Sequence, residues 1–444
     1  MRNEQYGDML RRLFPEQHHD CKMCVGGNFT RNITMQVTEA CNLRCTYCYQ
    51  HAKTPLTMSW DTAKKFIDLI LASDERMAPY IRSRECPGVI LDFIGGEPFL
   101  EIDLISDICD YFIEQMIVLD HPWLNRYRFS FSTNGTLYFD DRVQKFLNKH
   151  RAHTSMSVTI DGTKAMHDMC RVDEFGHGSY DLAAKAAADW KNKTGVGQGT
   201  KITISPDNLS MLSDALLEFV QQGIKIINAN CVFEDVWTVD HAKELYRHLI
   251  LVADYMLDHN IQNDYHISIL DRLCGEKYES EHPWCGGSGL MLCVDPKGDF
   301  YPCIRYAPSS VGKAPKYILG DVDHGITDMD KVYELARVSR LMQVKGTKCE
   351  ICPISQGCAD CAGYSYEVFG AVGKRTTFIC NMHIARVLAQ IYYRNKGNKK
   401  PLAMNVPKEW AIPIVGEEEY LRLEGIANAN QGKRLYNSQG QNQG

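Results

Sequence analysis

The chain has 444 residues, 44% of them hydrophobic, and a net charge of −6, enough for one large domain and a smaller one. The weak acidic balance offers no face for nucleic acid, and no stretch approaches the roughly 18 apolar residues of a membrane span. The opening MRNEQYGDMLRRLFPEQHHD has no apolar h-region, so a cytoplasmic location is expected.

Residues 1–30 read as an N-terminal extension holding Cys21-x2-Cys24. That pair is open to several readings: a redox couple, half a metal site, thiols that meet substrate, or two ordinary thiols. From 31 to 235, short apolar or β-branched runs alternate with amphipathic stretches. Strands are expected at 33–37, 89–94, 128–133, 155–160, 201–205 and 225–229. Between the first two, Trp60, Ala63, Phe66, Ile67, Ile70 and Leu71 recur at helical spacing, with Ser59 as a candidate N-cap. Leu104, Ile105, Ile108, Phe112 and Met116 form a second stripe. Six βα units imply an α/β fold with right-handed crossovers. Six rather than eight imply a partial (β/α)6 TIM barrel, with functional groups at the C-terminal ends of its strands.

Residues 236–283 read as a helical connector, and 284–395 as a small cysteine-rich domain with little periodicity, of the kind held by metal more than by an apolar core. Residues 396–444 form a C-terminal extension whose end, NANQGKRLYNSQGQNQG, has the composition of a disordered tail.

Cysteine is the outlier, with 18 in the chain. Without a secretion signal, a disulfide framework is the wrong first reading. Cys86, Cys109, Cys170, Cys231 and Cys274 each lie singly in or beside apolar segments and read as small buried hydrophobes. The others fall at fixed short spacings. Directly after the first strand comes Cys41-Asn-Leu-Arg-Cys45-Thr-Tyr-Cys48, a C-x3-C-x2-C loop. Three thiolates there suit three irons of a 4Fe–4S cube and leave the fourth iron open. A zinc knuckle with His51 as fourth ligand is the alternative.

This loop resembles the signature of the radical S-adenosylmethionine (SAM) superfamily. The resemblance implies that SAM binds the open iron and is cleaved reductively to a 5′-deoxyadenosyl radical, the protein placing that radical against one substrate hydrogen. Gly95-Gly96-Glu97-Pro98, ending the second strand, is similar to the family's loop for the SAM amino group. Thr133-Asn134-Gly135 is similar to its TNG turn. Thr159-Ile-Asp161-Gly162 with His167-Asp168 and Arg171 resembles the S-x-D-G…H-D…R segment of peptide-modifying members, with Thr159 in place of Ser and Thr163 where Pro is usual. By that resemblance Thr159 and Arg171 reach the SAM ribose and carboxylate, and Tyr47 matches the aromatic whose loop touches adenine. A surface salt bridge is the plain alternative for Arg171.

The later cysteines, Cys285, Cys293, Cys303, Cys349, Cys352, Cys358, Cys361 and Cys380, with Gly298 between Cys293 and Cys303, resemble the SPASM domain. Two residues rather than three separate Cys358 from Cys361. The resemblance implies one auxiliary 4Fe–4S cluster on Cys285, Cys293, Cys303 and Cys361, and another on Cys349, Cys352, Cys358 and Cys380, making three clusters in all. Two zinc ribbon-like sites are the alternative.

Members with such a domain mostly act on peptides and proteins. Sulfatase maturases, which make formylglycine, carry Asp after the Cys of Y-P-C as a base. Here Tyr301-Pro302-Cys303 is followed by Ile304, which cannot accept a proton, while Asp295 and Asp299 stand at other spacings. The expectation is a maturase that puts a thioether or carbon–carbon cross-link into a ribosomally made precursor peptide, with formylglycine formation as the alternative. An iron–sulfur electron carrier with a degenerate SAM site is a reading of another class. The resemblance also implies a flavodoxin or ferredoxin reductant. Only 40 residues precede Cys41, too few for a leader-binding domain, so leader recognition is expected from a separate protein or the barrel mouth.

Overall fold

Alternating apolar runs and amphipathic stretches build a barrel wall in the computed structural model, which describes residues 31–440 except 73, 82, 84–85, 87, 196–199, 272–284, 286, 288–290, 313, 339–344, 356–357 and 398. The extension 1–30 with Cys21 and Cys24, and Cys274, lie outside the described residues.

The barrel runs β1 (Arg31–Thr38), α1 (Trp60–Ala72), β2 (Val89–Gly95), α2 (Ile102–Val118), β3 (Tyr127–Thr133), α3 (Asp141–His150) and β4 (Thr154–Val158). It continues through α4 (Lys164–Cys170), α5 (Tyr180–Thr194), β5 (Thr200–Ile204), α6 (Leu212–Gln221) and β6 (Ile226–Cys231). All six expected strands are present. β1 to β4 form one parallel ladder, with Ile33 opposite Leu91 and Phe93 opposite Phe131. β5 and β6 begin a separate parallel ladder. The stripe on α1 is buried through Ala63, Phe66, Ile67, Ile70 and Leu71, and that on α2 through Ile105, Ile108, Phe112 and Met116. Each such side chain contributes roughly 1.5–3 kcal/mol by leaving water.

The connector holds α7 (Val239–Asp258), entered through a capping box between Thr238 and His241. It then adds a seventh parallel strand, β7 (His266–Ile267), which pairs with β6, and a short helix α8 (Ser268–Asp271). The connector is therefore part of the barrel wall as well as helical.

The cysteine-rich region is joined to that wall. β8 (Leu292–Val294) pairs in parallel with β1 on the side away from β2, with Cys293 opposite Thr34. The hairpin partner β9 (Asp299–Tyr301) follows, then β10 (Gly320–Asp321) and β11 (Gly325–Ile326), in one eight-stranded sheet. Gly298, in the turn before β9, has φ +95°, a left-handed conformation that a side chain resists. Gln36 of β1 donates from Nε2 to Ser309 Oγ at 2.9 Å, tying the barrel interior to this region.

Helices α9 (Met329–Arg337), α10 (Ala362–Phe369), α11 (Cys380–Lys396), α12 (Lys408–Val415) and α13 (Glu417–Gly440) complete the chain. α11 packs on α7 and is buried continuously from Met382 to Asn395, so it shows no polar stripe. The expected disordered tail is instead helical to Gly440. Glu417, Glu418 and Glu419 sit in the first turn of α13, where carboxylates favour a helix, and Leu423 and Ala427 are buried beyond it.

Candidate active site

A cavity of about 480 Å³ lies at the C-terminal ends of the parallel strands. Cys41, Cys45, Cys48, Tyr47, Gly95, Gly96, Glu97, Asn134, Thr159 and Arg171 all line it, although the sequence spreads them over 131 positions. Among the eight later cysteines, Cys361 also reaches this wall.

The cysteine loop is fixed by backbone bonds to the strands and loops around it. Gly96 N donates to Thr38 O at 3.0 Å, and Glu97 N to Ala40 O at 2.9 Å. From the other side, Arg44 N donates to Val172 O at 2.7 Å and Thr46 N to Cys170 O at 3.0 Å. A Cβ at Gly96 would collide with the Ala40 carbonyl and the Cys41 side chain, so the close approach of the two loops requires glycine there.

Glu97 does more than face the cavity. Its carboxylate accepts from Thr133 Oγ1 at 2.6 Å, Asn134 N at 2.8 Å and Phe99 N at 3.2 Å. Burial pushes its pKa up while those donors pull it down. The side chain thus ties the loop after β2 to the turn after β3, a role the sequence did not assign to it. Asn134 donates to Asn42 Oδ1 at 2.8 Å, locking the same turn onto the cysteine loop.

Opposite lies a buried polar cluster. Tyr47 donates its hydroxyl hydrogen to Asp161, and Arg171 Nη1 donates to Tyr47 Oη at 2.9 Å. Asp161 is fully buried and accepts from Thr203 N at 2.8 Å. Burial raises its pKa and the Arg171 cation lowers it. Arg171 is only 8% exposed, so a surface salt bridge is not its role. Its Nε is buried without a hydrogen-bond partner. Asp161, quoted in the TIDG segment yet given no function there, is the residue that fixes Tyr47.

Burial raises the Cys41 thiol and pushes Cys45 up to about 11. A metal that takes them as thiolates must displace those protons. His51 turns away to Glu367, 3.3 Å distant, and does not line the cavity, which removes the proposed fourth ligand of a zinc knuckle. Among the described residues, no group of three His, Cys, Asp or Glu side chains is gathered to hold a metal ion. Three inward thiols on one loop and the orphaned Arg171 donor fit a cluster with an open iron and a bound SAM.

Several of the later cysteines lie close enough to one another to interact electrostatically. Cys293 and Tyr301 pair across the β8–β9 hairpin, which brings Cys303 near Cys293. Gly287 lies against the thiols of both Cys285 and Cys303, and Cys361 interacts electrostatically with each of those two. The one-residue departure in spacing therefore does not exclude Cys361 from the set. In the other group, Cys349 interacts with Cys352 and Cys380, and the cation of Arg375 acts on Cys349, Cys358 and Cys380. Arg375 donates to Ser355 O at 3.1 Å, Cys358 O at 2.6 Å and Ala359 O at 3.3 Å. Cys109, Cys170 and Cys231 are buried as the lone-thiol reading expects, while Cys86 is half-buried.

Beside Cys361 in the cavity wall sits Arg305. Its guanidinium lies 4.7 Å from the Tyr49 ring centre and 5.7 Å from that of Tyr364, and 2.7 Å from Glu234. Arg305, Glu234, Lys53, Lys201 and Arg386 line the cavity and were missed by sequence reading, because isolated charged residues carry no spacing signal.

Residues 35–195 match the model of the Radical SAM superfamily. The chain carries a radical SAM domain. It is 24% identical over 343 residues to the mycofactocin maturase MftC of Mycolicibacterium smegmatis, covering 73% of this chain and 76% of that protein. The solved structure of native anSMEcpe with bound AdoMet matches with TM-score 0.58 and 17% identity, over 83% of this chain and 99% of the other. Streptococcus suis SuiB bound to its precursor peptide SuiA matches with TM-score 0.50 and 14% identity, over 80% of this chain and 78% of that one. At such identities the structural likeness establishes the fold, a partial radical SAM barrel. The radical SAM domain over residues 35–195 makes the protein an enzyme and implies SAM and a 4Fe–4S cluster. No helix among the described residues is long and apolar enough to cross a membrane.

Proposed function

We propose that this enzyme modifies a ribosomally made precursor peptide, forming a thioether or carbon–carbon cross-link. The observation that carries the reading is Cys361, which lines the same cavity as Cys41, Cys45 and Cys48 and which the resemblance assigns to an auxiliary cluster. An electron acceptor held there would stand beside a substrate lying in the cavity. MftC is named as a maturase, and SuiB is bound to a precursor peptide, which supports the same substrate class.

In this reading the two foursomes hold two auxiliary 4Fe–4S clusters, one on Cys285, Cys293, Cys303 and Cys361 and one on Cys349, Cys352, Cys358 and Cys380. Bound SAM and its cluster supply a carbon radical able to take a hydrogen atom. Thioether formation removes from the peptide one hydrogen atom to that radical, the thiol proton to solvent or a base, and one electron to an auxiliary acceptor. This chain's residues set the geometry: Tyr47, Asp161 and Arg171 form the rigid wall, and Thr159 and Arg171 offer hydroxyl and N–H groups to SAM. A flavodoxin or ferredoxin would supply the electron that starts each turnover.

Formylglycine formation keeps one observation in its favour. Asp295 is spent within the hairpin, accepting from Lys297 N at 2.9 Å and Asp299 N at 3.0 Å, but Glu234 places a carboxylate in the cavity.

The test is anaerobic reconstitution followed by SAM and dithionite. The expected product is 5′-deoxyadenosine, and Cys45→Ala should lose it by at least about a thousandfold while keeping most auxiliary iron. A fully iron-loaded wild type that makes none would sink the reading. A short Cys-containing peptide encoded beside the gene should then lose a hydrogen pair in mass. Conversion of a sulfatase peptide to its aldehyde would favour the second reading instead.

A further inference from the structure

The cavity wall contributed by β5, β6 and α11 is cationic and unmatched. Five cations line the cavity, Lys53, Arg171, Lys201, Arg305 and Arg386, against two carboxylates, Glu97 and Glu234. Glu97 is consumed by three donors, Glu234 pairs with Arg305, and Asp161 behind the wall answers Arg171. Lys53 lies 3.5 Å from the Cys48 sulfur. Lys201, which is exposed, also acts on Asp161, and Arg386 remains.

Arg386 is only 7% exposed and donates to the Ile269 and Ser268 carbonyls, both at 3.5 Å. Among the described residues no carboxylate pairs with it. Burial pushes Cys231 up to about 12 and holds His383 well below its usual pKa, so both are neutral at pH 7. A buried guanidinium without an anion is costly, and a polar cavity beside it is where the anion belongs. The register of β5 on β6 sets Lys201 beside Asn228 and Thr203 beside Asn230, and all four line the cavity. Two amide side chains next to two cations are the chemistry that reads a peptide backbone together with a carboxylate.

We infer that Arg386, assisted by Lys201, binds a carboxylate of the peptide substrate, either its C-terminus or an Asp or Glu side chain. The inference rests on the peptide-modifying reading above.

The experiment uses the fully reconstituted enzyme with SAM and pools of acetylated hexapeptides, retention being measured by ultrafiltration and mass spectrometry. One pool is amidated and free of acids, one has a free C-terminal carboxylate, and one is amidated with a single Asp or Glu. Wild type should retain a carboxylate pool over the neutral pool by roughly tenfold or more, and the pool preferred identifies the source. Arg386→Gln should erase that preference and Arg386→Lys keep part of it, while Lys201→Gln weakens it less. SAM cleavage without peptide should continue in all three variants.

A wild type without preference, or a preference that survives Arg386→Gln, would overturn the assignment. So would a fall in SAM affinity in Arg386→Gln with peptide preference intact, since the guanidinium would then serve SAM. Those outcomes leave the enzyme reading standing if 5′-deoxyadenosine is made; its absence from wild type would overturn both.

Discussion

The loop bearing Cys41, Cys45 and Cys48 and the segment bearing Cys349, Cys352 and Cys358 hold thiols at similar spacings by different means. The first is gripped by backbone hydrogen bonds from two sides and rests on a barrel whose strands bury Ile33, Phe93 and Phe131. The second has neighbouring strands of only two or three residues, and one guanidinium, that of Arg375, gathers its carbonyls. The lesson is that the fold itself shapes the SAM site, whereas the proposed second auxiliary site is held by short turns, by the Arg375 and His383 side chains and by whatever its thiols bind.

The sharpest test of that contrast is Gly96→Ala. The added methyl must displace the Ala40 carbonyl and the Cys41 side chain, so 5′-deoxyadenosine formation should fall by about a hundredfold while auxiliary iron is kept. Equal loss of iron from all sites would break the comparison. Arg375→Met comes next. It leaves buried carbonyls unpaired at about 1–3 kcal/mol each, and should release about a third of the bound iron, with SAM cleavage little changed. Iron quantified per chain, with 5′-deoxyadenosine measured on the same sample, decides it.

The smallest effect probes the barrel alone. Burial lowers the pKa of His121 to about 4, below its usual 6.5, so the folded chain resists a proton that the unfolded chain accepts. Stability is full above pH 6.5 and declines as pH falls toward 4, because the unfolded state then binds more protons. His121→Gln should flatten that part of the acid-unfolding profile by about 1 kcal/mol, after discounting for partial exposure. An unchanged profile would place the acid sensitivity elsewhere.

The six long strands and the three-thiol loop were legible because each carries a local pattern: apolar or β-branched runs of five to eight residues, and cysteines at fixed offsets. The two-residue β7 and the short β8–β11 were not, since two or three residues show no period. α11 escaped for the opposite reason, being buried along its length with Arg386, Gln390 and Arg394 among its inward residues. α13 was misjudged from composition, its Asn and Gln masking a charged first turn and the buried Leu423 and Ala427. At the site, the spacing located the thiols but could not tell that Glu97 spends its carboxylate on Thr133 and Asn134.

Because β8 completes the hydrogen bonding of β1, the barrel has no finished edge of its own. Cutting the chain before β8 would expose the strand that leads directly into the SAM loop, a bare template for pairing with another molecule. Exchange of the cysteine-rich half between relatives is thus constrained at a seam of three residue pairs, Ile33 with Leu292, Thr34 with Cys293 and Met35 with Val294. A chimera that preserves every cysteine but misaligns this seam by one residue would turn Cys293 to the opposite face of the sheet.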